Sequence, residues 1–459
     1  MSEQLKNALG YVEKERNSLL SELKEIIAIE SVSTDPAYTP EIEKAAEWLK
    51  KKLASIGIDN VQILPTGGHP VVYGEYLAAG PDAETMIVYG HYDVQPADPV
   101  EKWTTPAFDA QERDGNLYGR GTSDMKGQLM AAVFAIEAML KYGDLPINIK
   151  FMIEGEEENT SPSLFAFLEE NKDLLASDFA LNSDAGMAEV DLPTITYGMR
   201  GLLSCEIHVQ GPGKDLHSGL YGGAVRNPIH ELARLIGKIH DENGRITLPG
   251  FYDKVRDLDD EEREALARLP IDEKNVLAGT GAPEFWGEAG YSFVERVGAR
   301  PAIDINGIFG GYTGAGTKTV LPAEAHAKLT MRLVPDQDPD EVLEQLKRFL
   351  DENIYGSNTW SLDFKDGATA CTSGRDSNGV RAMQKAFESV WGMEPVFYRS
   401  GGSIPAVGYM QEVLGVESVL TGFSRPDDNV HSPNEKLHLE TWYKGIDTFI
   451  HFLHNMAGS

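Results

Sequence analysis

The chain has 459 residues, with 41 Lys and Arg against 72 Asp and Glu, a net charge of −31. Hydrophobic residues make up 41% and charged residues 25%, which excludes a mainly disordered chain, a collagen-like fibre and a disulfide scaffold. So acidic a surface repels phosphate backbones and anionic lipid, so neither nucleic acid nor a membrane is an expected partner.

The length fits about two or three domains. No stretch approaches the roughly 18 apolar residues of a membrane span. The opening residues lack a basic segment followed by an apolar one, so the expected location is cytoplasmic. The two cysteines, Cys205 and Cys371, give no disulfide framework and are expected to be reduced core residues.

Leu5, Leu9, Val12, Leu19, Leu23 and Ile26 recur at helical spacing, as do Ile42, Ala46, Leu49 and Leu53. Short apolar runs follow at 71–77, 86–90, 147–153 and 178–182, each suited to a strand buried on both faces. Between two of them, Leu129, Val133, Ile136 and Leu140 line one helical face. Strands alternating with helices predict an α/β layer, a mostly parallel sheet flanked by helices.

The pattern changes after Tyr197. Leu203, Cys205, Ile207 and Val209 alternate with Ser204, Glu206 and His208, and Ala327, Leu329, Met331 and Leu333 alternate with His326, Lys328, Thr330 and Arg332. Period-two alternation marks half-buried antiparallel strands. Two helical stripes accompany them, Ile229 to Ile239 and Val342 to Leu350. Residues 198–372 are therefore expected to form an α+β domain inserted into a first domain of residues 1–197 plus 373–459. The acidic stretch at 257–266 reads as a solvated helix face.

Five segments could carry chemistry. A buried strand runs into His91, with Asp93 two residues on and able to orient it. Asp124 stands just before a helix, a position that also suits a helix N-cap. A second strand runs into Glu154, Glu156, Glu157 and Glu158. Adjacent carboxylates are costly unless a cation compensates them or one takes up a proton as a general base would. Asp184 follows a short strand, and His431 lies in a polar loop near the end. Open α/β sheets place ligands beyond the carboxyl ends of their strands. Two imidazoles with three carboxylates suit a pair of zinc or manganese ions. A bridging carboxylate would set them about 3.5–4 Å apart.

The motifs YGHYDVQP, GRGTSDMKG, EGEEE, DLHSGLYGG, KTVLP, MRLVP, GGSIP and DDNVHSPNE occur in this order. From about Ile27 to the final helix the chain resembles the dipeptidase branch of the two-zinc aminoacylase and glutamate-carboxypeptidase peptidases. The resemblance implies that His91 and Asp184 hold one metal, that Glu158 and His431 hold the other, and that Asp124 bridges them. Asp93 would orient His91, and Glu157 would be the general base toward water bound at the metals. It further implies a cis peptide after Asp124 and a lid domain that also makes a homodimer. From the lid, His217 would stabilise the oxyanion in the partner subunit's site. Arg332 would clamp the substrate's free carboxylate, with Thr319 and Ser403 holding the same end.

The implied reaction is metal-dependent hydrolysis of dipeptides or short peptides with a free carboxyl end. Zinc is the expected ion, and manganese also suits the ligands. Deacylation or desuccinylation of N-acyl amino acids is the nearest alternative, and a non-catalytic metal or peptide-binding protein is the second. Met125 and Thr160-Ser161 depart from the family's usual acidic residue and Gly-Ser. His69, His208, His230, His240, His326, His438, His451 and His454 read as structural or surface residues.

Overall fold

The computed structural model describes residues 2–458. They divide into two compact units. The first comprises the residues up to 197, 372–398 and those from 404 onward; the second comprises 198–371 and 399–403. That 399–403 cluster with the second unit was not apparent from the chain's pattern.

In the first unit the strands run in the order Asp59–Leu64, Val71–Tyr76, Asn148–Glu154, Thr85–His91, Phe179–Asn182, Ser418–Thr421 and Thr194–Met199. The parallel arrangement holds for the four central strands, from Asn148–Glu154 to Ser418–Thr421. The flanking pairs are antiparallel. Every residue of Asn148–Glu154 is buried, as expected where both faces of a sheet are covered. The parallel register sets His91 beside Glu154 and Tyr89 beside Asn182. Three strands therefore end on one edge, and the chain delivers His91, the 154–158 run and Asp184 there together.

The helix Lys126–Leu140 carries more than the single apolar stripe that its leucines suggest. Every residue from Lys126 to Ile136 is buried, because the helices Glu3–Ile27 and Leu439–Asn455 pack against it as well as the sheet. Alanines at 131, 132, 135 and 138 let these neighbours come close. Lys126 is buried at its first turn and donates to Ile26 O at 3.1 Å and Ile29 O at 2.7 Å. It thereby satisfies carbonyls at the end of the first helix. Burial pushes its pKa down to about 7.

The second unit is built on an antiparallel sheet in the order Ala302–Gly310, Glu324–Leu333, Gly201–Gln210 and Thr359–Ala368. Leu203, Cys205, Ile207, Leu329 and Met331 form a core with Leu232, Leu235, Leu346 and Phe349 of the helices Pro228–Ile236 and Pro339–Asn353. The edge strand Ala302–Gly310 was not foreseen. Its ladder slips between Ile305 and Gly307, and much of it is exposed, so it lacks a clean alternation. Cys205 and Cys371 are both free and buried. Among the described residues no helix is long and apolar enough to cross a membrane.

The turn before Lys126 depends on one glycine. Trp442, fully buried, donates from Nε1 to Gly127 O at 2.8 Å. A Cβ at Gly127 would lie 2.0 Å from Thr122 O and 2.8 Å from Leu437. In an unconstrained helix, Gly→Ala stabilises by about 0.5–1 kcal/mol. Here the added methyl meets backbone, so Gly127→Ala is expected to destabilise by about 1–3 kcal/mol, read from the urea midpoint of the first unit. A stabilised variant would show that the turn is not constrained in this way.

Candidate metal centre

His91 ends a strand that is buried from Met86 onward and is itself buried. Its Nδ1 lies 3.0 Å from Asp93 O and 3.4 Å from Asp93 Oδ1. The carboxylate of Asp93 accepts from the backbone of Glu157 at 3.3 Å and of Glu158 at 3.0 Å. Asp93 thus couples the ring of His91 to the loop after the neighbouring strand, which is more than orienting the ring. Met125 fills the space behind: its Sδ accepts from His91 N at 3.2 Å.

The other ring nitrogen faces carboxylates. His91 Nε2 is 3.2 Å from Asp124 Oδ1, 3.7 Å from Asp184 Oδ1 and 4.0 Å from Glu157 Oε2. The second oxygen of Asp124 turns the other way. Its Oδ2 is 2.9 Å from His431 Nε2, which is 3.0 Å from Glu158 Oε2. Asp124 is therefore shared between two His–carboxylate pairs, and its peptide bond to Met125 is cis. The N-cap of the following helix is Met125, without a side-chain bond, so Asp124 does not serve as a cap. All seven side chains expected here from the first unit come together: His91, Asp93, Asp124, Glu157, Glu158, Asp184 and His431.

Electrostatics describes a cluster short of positive charge. Burial raises Asp184 to about 6 and pushes Glu157 well above the carboxylate range, with neighbouring carboxylates adding to both. Hydrogen bonds to Asp124 and Glu158 raise His431 to about 10. His91, although burial opposes its charge, is held well above the usual imidazole range by Asp124 and Asp184. Each imidazole thus favours a positive charge, and a bound dication would supply it in place of a proton.

The donor set fits two divalent ions. His91, Glu157 and Asp184 offer ligand atoms within 4.8 Å of one another, as do His91, Asp124 and Glu158. Glu158 Oε1 is buried without a hydrogen-bond partner, an acceptor that a cation would satisfy.

A supporting layer holds these groups, and sequence reading missed most of it. Glu435 is fully buried and pairs with Arg120 at 2.6 Å. It accepts from the backbone of Gly121, Ser123 and Asp124 at 3.1, 2.9 and 3.1 Å. One carboxylate therefore shapes the whole turn that presents Asp124. Gln95 donates to Glu158 Oε2 at 2.8 Å, and Asn182 accepts from Asp184 N at 2.7 Å. Glu154 accepts from Tyr89 and Ser161 hydroxyls at 2.8 and 3.0 Å, and burial raises it to about 8. Ser161, with Thr160, holds positive φ of 51° and 65°, so the chain turns there without the glycine usual at that point.

The candidates in the second unit form two separate pairs. Arg332 Nη1 donates to Ser403 Oγ at 2.9 Å, and Ser403 donates to Arg200 O at 2.5 Å. Burial lowers the Arg332 pKa. His217 is exposed in a two-residue strand opposite Val320, and its Nδ1 accepts from Gly219 N at 3.0 Å. Thr319 joins this pair through its carbonyl, which accepts from Ser218 N at 3.0 Å.

A family model described as Peptidase family M20/M25/M40 matches residues 87–455. The chain belongs to this family. It is 33% identical to the human Beta-Ala-His dipeptidase over 99% of this chain and 93% of that one. It is 31% identical to the Cys-Gly metallodipeptidase DUG1 of Candida albicans, over 96% and 95%. Among solved structures, an M20 family metallo-carboxypeptidase, Sso-CP2 of Sulfolobus solfataricus, is 34% identical with a TM-score of 0.84, covering 96% of this chain and 99% of that one. M20 membership is the basis for reading the cluster as a metal centre.

If Glu435 shapes the Asp124 turn, Glu435→Gln and Glu435→Ala should weaken zinc binding about 10–100-fold, measured calorimetrically on folded protein. Affinity equal to wild type in the folded Gln variant would remove Glu435 from the site.

Proposed function

We propose that this chain is a metal-dependent dipeptidase that hydrolyses dipeptides or short peptides with a free carboxyl end. The observation that carries this reading is Asp124, whose two oxygens face two separate His–carboxylate pairs at 3.2 and 2.9 Å. The human and Candida albicans relatives are dipeptidases, which favours peptides over N-acyl amino acids and favours an enzyme over a passive binder.

His91 and Asp184 would hold one divalent ion, Glu158 and His431 the other, with Asp124 shared. Zinc suits this mixture of imidazole and carboxylate, and manganese suits it as well. Two such ions supply Lewis acidity to the scissile carbonyl and acidity to the attacking water. Glu157 is the carboxylate left over when both sets are filled. Its raised pKa suits a group that takes a proton from water and returns it to the leaving amine. Asp93, bonded to the backbone of Glu157 and Glu158, holds that base in place.

In this reading residues 1–197 plus 373–459 are the catalytic domain, and 198–372 the lid and dimerisation domain. Arg332 clamps the substrate's carboxylate, a bidentate task that guanidinium performs well. Ser403, already bonded to Arg332, orients it, and Thr319 holds the same end of the substrate. His217, exposed on its loop, stabilises the oxyanion in the partner subunit's site of a homodimer. The protein works in the cytoplasm.

Glu157→Gln should lower kcat for a dipeptide by about 10²–10⁴-fold, with both metals retained by elemental analysis. Mixing these chains with His217→Ala chains should then restore turnover through hybrid dimers. Near-normal turnover in Glu157→Gln would reject the base, and no recovery despite proven subunit exchange would reject the shared site. Faster hydrolysis of acetylated or succinylated amino acids than of dipeptides would reject the substrate class.

A further inference from the structure

The strand Gly201–Gln210 carries Glu206 and His208 on one face, two residues apart, and His326 lies directly opposite His208 on Glu324–Leu333. The alternation places all three on the face of the sheet away from the apolar core of the second unit. Register then brings them into contact. His208 Nδ1 and His326 Nδ1 are 2.6 Å apart. Glu206 Oε1 lies 3.6 Å from His326 Nδ1 and 3.8 Å from His208 Nε2. One ligand atom from each side chain falls within a 4.8 Å triangle.

We propose that Glu206, His208 and His326 form a divalent transition-metal site of the second unit, independent of the cluster around Asp124. Two imidazole nitrogens 2.6 Å apart cannot both present bare lone pairs: either one ring donates its N–H to the other, or a cation lies between them. The hydrogen bond would satisfy the two rings and leave the carboxylate aside. A dication uses all three groups, and two imidazoles with one carboxylate suit zinc, cobalt or nickel. At tetrahedral bond lengths of about 2.0–2.1 Å, neighbouring ligand atoms sit about 3.3 Å apart, so the rings need to part by less than about 1 Å.

An aromatic ring and two further carboxylates surround the pair. Phe309 stacks on His326 with centroids 4.6 Å apart and planes 3° from parallel. Glu324 Oε1 is 3.7 Å from the far nitrogen of His326, and Asp363 Oδ2 is 4.0 Å from Nε2 of His208. Drawn in to hydrogen-bond distance, such a carboxylate would fix the tautomer of a ligating imidazole and strengthen it as a donor. The three side chains are 12–29% exposed, which leaves room for water to complete the coordination. They stand on paired strands, not loops, so little ordering remains for the ion to impose. The ion would clip together two neighbouring strands of this sheet.

The test is metal stoichiometry on the full chain, stripped with chelator, reloaded with Co2+ and desalted. His208→Gln, His326→Gln and Glu206→Gln should each bind one equivalent fewer than wild type, with the corresponding cobalt absorption band lost and turnover unchanged. The difference of one equivalent is read independently of how many ions the Asp124 cluster holds. In wild type, Zn2+ should also protect His208 and His326 from diethyl pyrocarbonate, located by mass spectrometry. Equal cobalt content in wild type and folded variants, or modification of both rings unaffected by Zn2+, would overturn the proposal and leave an N–H···N hydrogen bond as the link between the rings.

Discussion

The carboxylate of Asp124 stands between two imidazoles, 3.2 Å from one and 2.9 Å from the other. Much of the first unit serves to keep it there. Four carboxylates and two imidazoles converge at one sheet edge, where burial makes uncompensated charge expensive. The parallel register makes the convergence possible, because strands running the same way end on the same side. His91 ends one strand, Glu157, Glu158 and Asp184 follow the ends of two others within a few residues, and Asp124 enters just before the helix packed across them.

A second buried carboxylate makes this arrangement durable. Glu435 neutralises Arg120 and gathers three backbone amides of the Asp124 turn. Removing one partner of such a pair leaves a buried charge alone, which typically costs about 3–5 kcal/mol. The turn therefore has one low-energy shape, and the shape is paid for within the scaffold before any ligand arrives. Asp93 does the same for the loop of Glu157 and Glu158, tying it to the strand of His91. Preorganisation of this kind lets a site hold its geometry while it passes protons.

Much of this was legible from the chain. His91, the Glu154–Glu158 run and Asp184 follow apolar runs short enough to be strands, so their meeting at strand ends follows from parallel order alone. The alternation in 201–210 and 324–333 gave both strands and their inner faces. What stayed hidden depends on register and on distant partners. Glu435 lies 315 positions from Arg120, and nothing local distinguishes it from a surface glutamate. The strand Ala302–Gly310 is an edge broken by a bulge, so its pattern is weak. His208 and His326 each read as polar residues on an outer face. Only the pairing of their strands shows that the two rings touch.

The most direct measurement is an anomalous difference map from crystals grown with Zn2+, collected above the zinc edge. The account predicts two peaks about 3.5–4 Å apart in the first unit, one against His91 and Asp184, the other against Glu158 and His431, with Asp124 reaching both. A single peak there, or density that leaves Asp124 bound to neither ion, would contradict it.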